Sequence, residues 1–407
     1  MAYQEQSNGY TAFKAQSGQG VQASGAGGKI LRQTGGAGGK LTKAATESAE
    51  VRSDMMSSRG RHGVQKTAGA YSSELTLGTF DDVFEAVMRG TWGSANLELD
   101  ESDFTSITTG ANTIVLGSGS PISLGLRVGD VIRITNQATS TANNGKNLRI
   151  TGLDATTITV AETLEVNASA DTDCEITRPG RVLIAPAAPV KRYFTIEEYE
   201  ADIDASEVFT DCVFGSIKFT MAPNGLVTVD TTWVGTGQFE TLSDSGSPLL
   251  TGPTVTTTQT MSALEASIRL GSSDLVDLTA FDLTIDITPS APDVIASRYS
   301  PAVFTGSMAV SLNLTSLRSD LLDVADFLDE TQLSLHVLCV EPETEPKDFV
   351  SLFVPNFTLG SVDKSALAKA GGGRTQTLTV PAALVGKDER GGAFDATMIK
   401  IQTSNAS

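Results

Sequence analysis

The sequence predicts a mainly β fold: tandem duplicated β-sandwich or barrel domains, each with a short packed helix, plus an inserted small β-barrel domain and an extended N-terminal arm. Three observations carry this expectation. Apolar and polar residues alternate at period two in many short stretches separated by turn residues. Helical periodicity is confined to two brief stripes. The order strand, short helix, strands occurs once in each half of the chain.

Residues 1–66 form the expected arm. Residues 1–40 are rich in Gly, Ser, Gln and Ala, with a loose theme in Gly25-Ala26-Gly27-Gly28-Lys29 and Gly35-Gly36-Ala37-Gly38-Gly39-Lys40. Such a segment cannot bury enough apolar surface to fold alone. It is not a phosphate loop, because the GxxxxGK[ST] spacing and a preceding apolar strand are both missing. An extended segment that orders against a partner is expected instead.

The first domain is assigned to 67–97 and 181–245. It opens with a strand near Gly69 to Leu77. Thr79 then precedes Phe80-Asp81-Asp82, a capping-box-like helix start with acid in the first turn. Phe80, Val83, Phe84 and Val87 fall at i, i+3, i+4 and i+7, which makes one apolar stripe for packing on a sheet. The stretch Lys191 to Gly235 ends in a long hairpin. Ile217, Phe219 and Met221 alternate with Ser216, Lys218 and Thr220, and Pro223-Asn224-Gly225 turns the chain. Val227, Val229, Thr231 and Trp233 then share one face, with Thr228, Asp230 and Thr232 on the other. That pattern describes a sheet with one buried and one mostly polar face.

Residues 98–180 look like an inserted barrel or sandwich of short strands, with GLRVGDVIRITN as turn and strand and Asn143-Asn144-Gly145 as a further turn. Arg127, Arg133, Lys146 and Arg149 make it partly basic, but Phe104 is its one aromatic residue, too few for stacking bases. A structural or decorative module is expected. Residues 246–260 read as a linker and 261–407 as the second domain. There Phe281, Leu283, Ile285 and Ile287 alternate with Asp282, Thr284 and Asp286. The two aspartates lie about 13 Å apart along a strand, too far for one ion. Leu317, Leu321, Val324 and Leu328 form the second helical stripe, with strands on either side.

Composition bounds the function. The 407 residues carry a formal net charge of −19. Residues 1–66 hold nine basic and four acidic side chains, net +5, so the remainder carries −24. A basic segment on an acidic body invites contact between stacked copies; the alternative is a solvated tail. No run of about 18 apolar residues suggests a membrane span. The N-terminus shows no basic region followed by an apolar core, so no secretory signal is expected. Cys174, Cys212 and Cys339 are far apart and read as buried small side chains. His62 sits in an Arg-Gly-Arg-His-Gly segment and His336 in an apolar strand. GxSxG, HExxH and CxxC are absent. Neither an enzyme nor a cofactor is expected.

Three stretches resemble the major tail tube proteins of long non-contractile-tailed, siphovirus-type bacteriophages. They are GTFDDVFEAVMRGTW from Gly78, the insert's GLRVGDVIRI with ANNGKNLRITGLDATTITV, and Lys191 to Gly235. The second half resembles the family's C-terminal part mainly in order, through TAFDLTIDI, the helix at 317–328 and RTQTLTV. The resemblance implies a virion structural protein, made in the host cytoplasm, that polymerises as stacked rings into a tail tube through which DNA passes. It implies contacts with a tape-measure protein, chaperones, a tail terminator and distal tail proteins. A duplicated chain implies a homotrimeric, pseudo-hexameric ring, with a hexamer as the alternative. Acidic and hydroxyl side chains on a bore would repel phosphate. The candidates are Glu74, Ser216, Thr228, Asp230, Asp282 and Asp286, with Lys218 as an exception. Lys29, Arg32, Lys40, Lys43, Arg52, Arg59 and Arg61 are candidates for arm contacts between rings. The competing classes are a β-sandwich surface adhesin and a nucleic-acid-binding barrel. The first lacks disulfides and a signal sequence, and the second is opposed by net acidity and few aromatics.

Overall fold

Eight antiparallel strands form a continuous ribbon, and the order of those strands repeats. The computed structural model describes residues 3–342, 345–369, 371–383 and 392–404; the extreme ends of the assigned arm and second domain lie outside them. We number the ribbon strands alone. They are β1 (Gln33–Thr46), β2 (Arg61–Glu74), β3 (Ala205–Met221), β4 (Thr228–Gly235), β5 (Leu278–Asp286), β6 (Ala309–Leu317), β7 (Ser361–Lys364) and β8 (Thr375–Val380). Their order in space is β1-β2-β4-β3-β5-β6-β8-β7. The first four strands run 1-2-4-3 and the second four repeat that arrangement as 5-6-8-7. Helix α1 (Asp81–Met88) follows β2, and helix α2 (Leu322–Leu328) follows β6, the same place in each quartet. This order supports an internal duplication where residue identity between the halves is weak.

The ribbon is one part of a 12-stranded sheet. The N-terminal half of β3 turns away from it to pair with Phe194–Glu200 and Phe239–Ser243. Gly9–Ala15 extends that leaf by pairing with Phe194–Glu200, and Lys29–Ile30 pairs with Gly9–Ala15. The segment expected as an extended arm therefore contributes the strands Gly9–Ala15, Lys29–Ile30, β1 and the start of β2, all paired within its own chain. Backbone hydrogen bonds need no apolar side chains, so a glycine-rich segment can join a preformed sheet. Glycine also makes room: a Cβ at Gly39 would meet the Phe209 ring at 2.5 Å, and one at Gly69 would meet the Trp233 indole at 2.5 Å. Gly39 and Gly69 face each other across β1 and β2, beneath a Phe209–Trp233 pair 5.1 Å apart.

One core cluster unites the apolar ribbon face, α1 and a six-stranded sheet made of Arg181–Ile184, Lys400–Thr403, Phe349–Phe357, Leu333–Val340, Ser267–Leu270 and Ser273–Leu275. Phe80, Val83, Phe84 and Val87 are all buried, and the Phe84 ring stacks on Phe219 at 6.0 Å. The helix begins one residue later than the capping-box reading placed it. Phe80 is the N-cap without a side-chain bond, because the Thr79 hydroxyl is engaged with Thr76 at 2.7 Å and Thr256 at 2.5 Å. Arg89, in the left-handed region, closes the helix ahead of Gly90.

The second stripe behaves differently. Leu317 falls at the end of β6, Leu321 precedes α2, and α2 has no buried residue. Leu321 is 62% exposed and Leu328 73%. These four residues therefore do not form a buried stripe in the single chain, because α2 lies at the end of the ribbon, against β7, where no further strand follows.

Residues 97–178 form a separate eight-stranded sheet with its own core, in which Phe104 is fully buried. No sheet closes on itself: the strand paths among the described residues are open, so the expected barrels are open sheets here. The insert is pinned to the second half. Lys400 Nζ lies 2.6 Å from both Asp130 and Asp395, and Arg149 reaches Glu162 at 2.6 Å and Asp274 at 3.1 Å. Within 246–260, the amides of Leu249 and Leu250 donate to the buried Glu197 carboxylate at 2.7 and 2.8 Å, and the Thr254 amide donates to the Gly28 carbonyl at 2.9 Å.

Candidate functional site

Directly opposed residues of an antiparallel pair share a face. The register therefore assembles the polar face of the ribbon row by row. One row runs Glu74, Thr228, Thr220, Asp282, Asn313, Thr379 and Ser361. The next runs Ser72, Asp230, Lys218, Thr284 and Ser311. A third runs Ala70, Thr232, Ser216, Asp286 and Ala309. All seven bore candidates (Glu74, Ser216, Lys218, Thr228, Asp230, Asp282 and Asp286) thus lie on one face of one sheet. All seven are partly exposed.

Side chains on this face bind one another along the rows. Ser72 Oγ donates to Asp230 at 2.6 Å, and Thr220 Oγ1 donates to Asp282 at 2.8 Å. The Ser216 and Thr232 hydroxyls lie 2.6 Å apart. Lys218 Nζ sits 3.1 Å from Asp282, so the one cation among the seven candidates is neutralised by a neighbour. Four carboxylates and one ammonium leave the set net negative. One amide and three hydroxyl side chains on β6 and β8 (Asn313, Thr315, Thr377 and Thr379) complete the face. The sequence reading did not name them, although the alternation of Ala309–Leu317 and Thr375–Val380 carries the signal.

The basic candidates are divided by the fold. Lys29 pairs with Asp82 at 3.0 Å, and Arg32 donates to the Thr258 carbonyl at 2.6 Å. Arg52 pairs with Asp54 at 2.6 Å in the connection between β1 and β2. Lys43, Arg59 and Arg61 gather instead around one cleft with His62 and Arg298. Lys40 stands exposed on the polar side of β1, opposite Ala68. The end of β1 nearer the body is fixed by Glu198, which accepts from the Gly39 amide at 2.7 Å and the Tyr71 hydroxyl at 2.8 Å. Burial, with the Glu198 charge beside it, pushes the Tyr71 phenol well above its usual value.

The thiols of Cys174, Cys212 and Cys339 and the imidazole of His336 are buried, away from this face. Burial pushes the Cys339 thiol up to about 12, and burial with Asp171 nearby pushes Cys174 up to about 11. His336 is buried with its Nε2 2.8 Å from Ser351 Oγ. Desolvation, then the charges of Arg149, Lys400 and Arg269, hold its pKa well below the usual range. Among the described residues no three His, Cys, Asp or Glu side chains come together as metal ligands, and no helix is long and apolar enough to cross a membrane.

Comparison with known proteins gives two results. No curated protein matches the chain. A family model described as phage tail tube protein matches residues 6–382.

Proposed function

The chain belongs to the phage tail tube protein family, and from that membership we propose that it polymerises as stacked rings into a tail tube of the siphovirus type, whose acidic bore conducts DNA. Its role in the virion tail is structural. The observation that carries the conduit reading is the convergence of Glu74, Asp230, Asp282 and Asp286 with rows of hydroxyls on one face of an open sheet. A wall of carboxylates and hydroxyls repels phosphate and offers no base-stacking surface, so a duplex passes without adhering. The apolar face is closed by α1 and the second sheet, which leaves the polar face as the one available to a lumen.

Two quartets of strands in one chain support a ring of three copies with pseudo-sixfold symmetry; six copies per ring is the alternative. The cleft of Lys43, Arg59 and Arg61, together with Lys40, is the part of the basic segment best placed for the acidic body of the next ring. Lys29, Arg32 and Arg52 are engaged within the chain. The insert decorates the outside, and the tube ends meet a terminator and distal tail proteins, with a tape-measure protein inside during assembly. The chain is made in the host cytoplasm before assembly. The first quartet, which adds β1 from the 1–66 segment to the assigned 67–97 and 181–245, and the second quartet, within the assigned 261–407, then serve as two equivalent wall units.

Replacing Asp230 and Asp286 together by Lys reverses two charges on neighbouring rows of the polar face. Tubes are expected to form at normal length, while DNA ejection from the assembled phage slows because phosphate is retained at the wall. Ejection at the unsubstituted rate, from tubes of normal length, would remove the bore assignment.

A further inference from the structure

We propose that Lys400 and Asp130 join through an amide bond between their side chains, with Asp395 carrying a proton in the reaction. The bond ties the insert covalently to the strand Lys400–Thr403, and it is independent of the ring reading. The three groups meet in one buried spot. Lys400 Nζ lies 2.6 Å from Asp130 Oδ1 and 2.6 Å from Asp395 Oδ2. The Asp130 side chain is 0% exposed and that of Lys400 2%, whereas Asp395 keeps 20% and borders solvent. Among the described residues, neither Lys400 Nζ nor Asp130 Oδ1 has a hydrogen-bond partner. The contact is therefore close without the angles of a hydrogen bond. A buried ion pair is costly unless hydrogen bonds complete it, so this pair is poorly built as a salt bridge. It is well built for condensation, which turns two buried charges into one neutral amide.

The backbone fixes both partners before they react. Lys400 stands in mid-sheet, opposite Phe353 on one side and Ile184 on the other. Gly129, at φ +85°, lies so close to the Phe353 ring that a Cβ there would run into it. Gln402 grips the residue after Asp130: its Oε1 accepts from the Val131 amide at 2.8 Å, and its Nε2 donates to the Val131 carbonyl at 2.9 Å. The two Asp130 oxygens then differ. Oδ2 accepts from the Arg127 amide at 2.7 Å, with Arg178 Nη1 3.5 Å away, while Oδ1 faces Lys400. That asymmetry suits acyl transfer, because donors hold the oxygen on which negative charge collects and leave the other free to depart. In the step, the Lys400 ammonium gives a proton to Asp395, and its nitrogen bonds to Cγ of Asp130. The Cγ–Oδ1 bond breaks. The oxygen leaves as water, with one proton returned by Asp395 and a second from the nitrogen. An ammonium and a carboxylate become an amide and a water, nothing is oxidised or reduced, and Asp395 ends as it began. Desolvation, Arg149 and Arg269 continue to act on His336 once the Lys400 charge is gone. Unlike a disulfide, an amide is indifferent to reduction, and the three cysteines of the chain are free.

Intact-mass spectrometry of the denatured full chain tests the bond. The expected mass is one water below that of the sequence. A protease digest should also hold one branched peptide that joins the Asp130 and Lys400 segments. The full sequence mass, in folded chain and in assembled material alike, overturns the proposal and leaves an ion pair only. Lys400→Arg keeps a cation that cannot form this amide, and it should show its own full sequence mass. A mass one water low in that variant places the loss elsewhere and overturns the assignment too. The unsubstituted chain decides the bond whether or not any variant folds. Asp395→Asn tests the proton carrier: with native circular dichroism, bonding after refolding should slow by about 100-fold or more, and Asp395→Glu should restore part of the rate. Bonding of Asp395→Asn at the unsubstituted rate overturns the role of Asp395.

Discussion

Helices α1 and α2 stand at the same point of the repeated strand order and differ in almost every other respect. All four stripe residues of α1 are buried, whereas no residue of α2 is. Phe84 stacks on Phe219 and meets Trp92 edge-on at 6.3 Å, while Phe327 of α2 is 37% exposed. The sequences do not explain the contrast, since Leu322, Phe327 and Leu328 are at least as apolar as the α1 stripe. Position explains it. Helix α1 has a strand on each side of its joint because the second quartet follows the first. Helix α2 is at the end of the ribbon. An apolar helix face is thus a property of the repeat, and its burial a property of whether the ribbon continues past it.

The largest test of this contrast is a matched pair of truncations. Phe84→Ala empties a fully packed site and is expected to cost about 3–5 kcal/mol of unfolding free energy. Leu328→Ala removes a side chain that is 73% exposed in the single chain, and should shift the same free energy by less than about 0.5 kcal/mol. Urea denaturation of the unassembled chains measures both. Equal losses would mean that α2 is as well packed as α1, and the contrast would collapse.

A smaller effect separates the halves by pH. The second half buries His336 beside Arg149, Arg269 and Lys400, where the insert meets the six-stranded sheet. Its folded pKa is depressed, so the folded chain keeps the imidazole neutral while the unfolded chain protonates it near 6.5. Stability from this group is therefore complete above about pH 6.5. It falls by about 1.4 kcal/mol per pH unit below that, until the folded group also protonates. His336→Gln can still meet Ser351 and has no proton to gain. Denaturation at pH 7.5, 6.5 and 5.5 should show a shallower acid loss in the variant; parallel curves would mean that His336 does not stay neutral.

How much of this was legible in the residues depended on the range of the interaction involved. The hairpin of β3 and β4, its turn at Asn224 and the α1 stripe follow from spacing within about 20 residues, and the alternation that put Asp230, Asp282 and Asp286 on polar faces is equally local. That these faces become one wall was not local, because it needs β5 to pair with β3 across a gap of about 60 residues. The glycines of β1 read as an extended arm that orders against a partner, since the groups they pack on, Phe209 and Tyr71, lie more than 30 residues away in their own chain. The α2 stripe misled for the opposite reason: its periodicity is real, but periodicity reports that a face is apolar, not that the same chain covers it.

The smallest effect concerns the internal joint itself. Lys218 and Asp282 are partly exposed, so solvent screens them, and Lys218→Ala should cost only about 0.2–1 kcal/mol. The loss stays small because Asp282 keeps the Thr220 hydroxyl as a partner and the strands remain joined by backbone bonds. Lys40→Ala should be just as harmless to the folded single chain, since Lys40 stands exposed on β1 and its proposed contact is the acidic body of the next ring. Its effect should appear only in assembly, as a higher concentration needed for tubes and a steeper sensitivity to salt. Light scattering across a salt series compares the two variants directly. Should Lys218→Ala and Lys40→Ala weaken assembly equally, the ammonium of Lys40 would be acting through the net charge of the surface and not through a contact with the next ring, because Lys218 already has its partner within the chain.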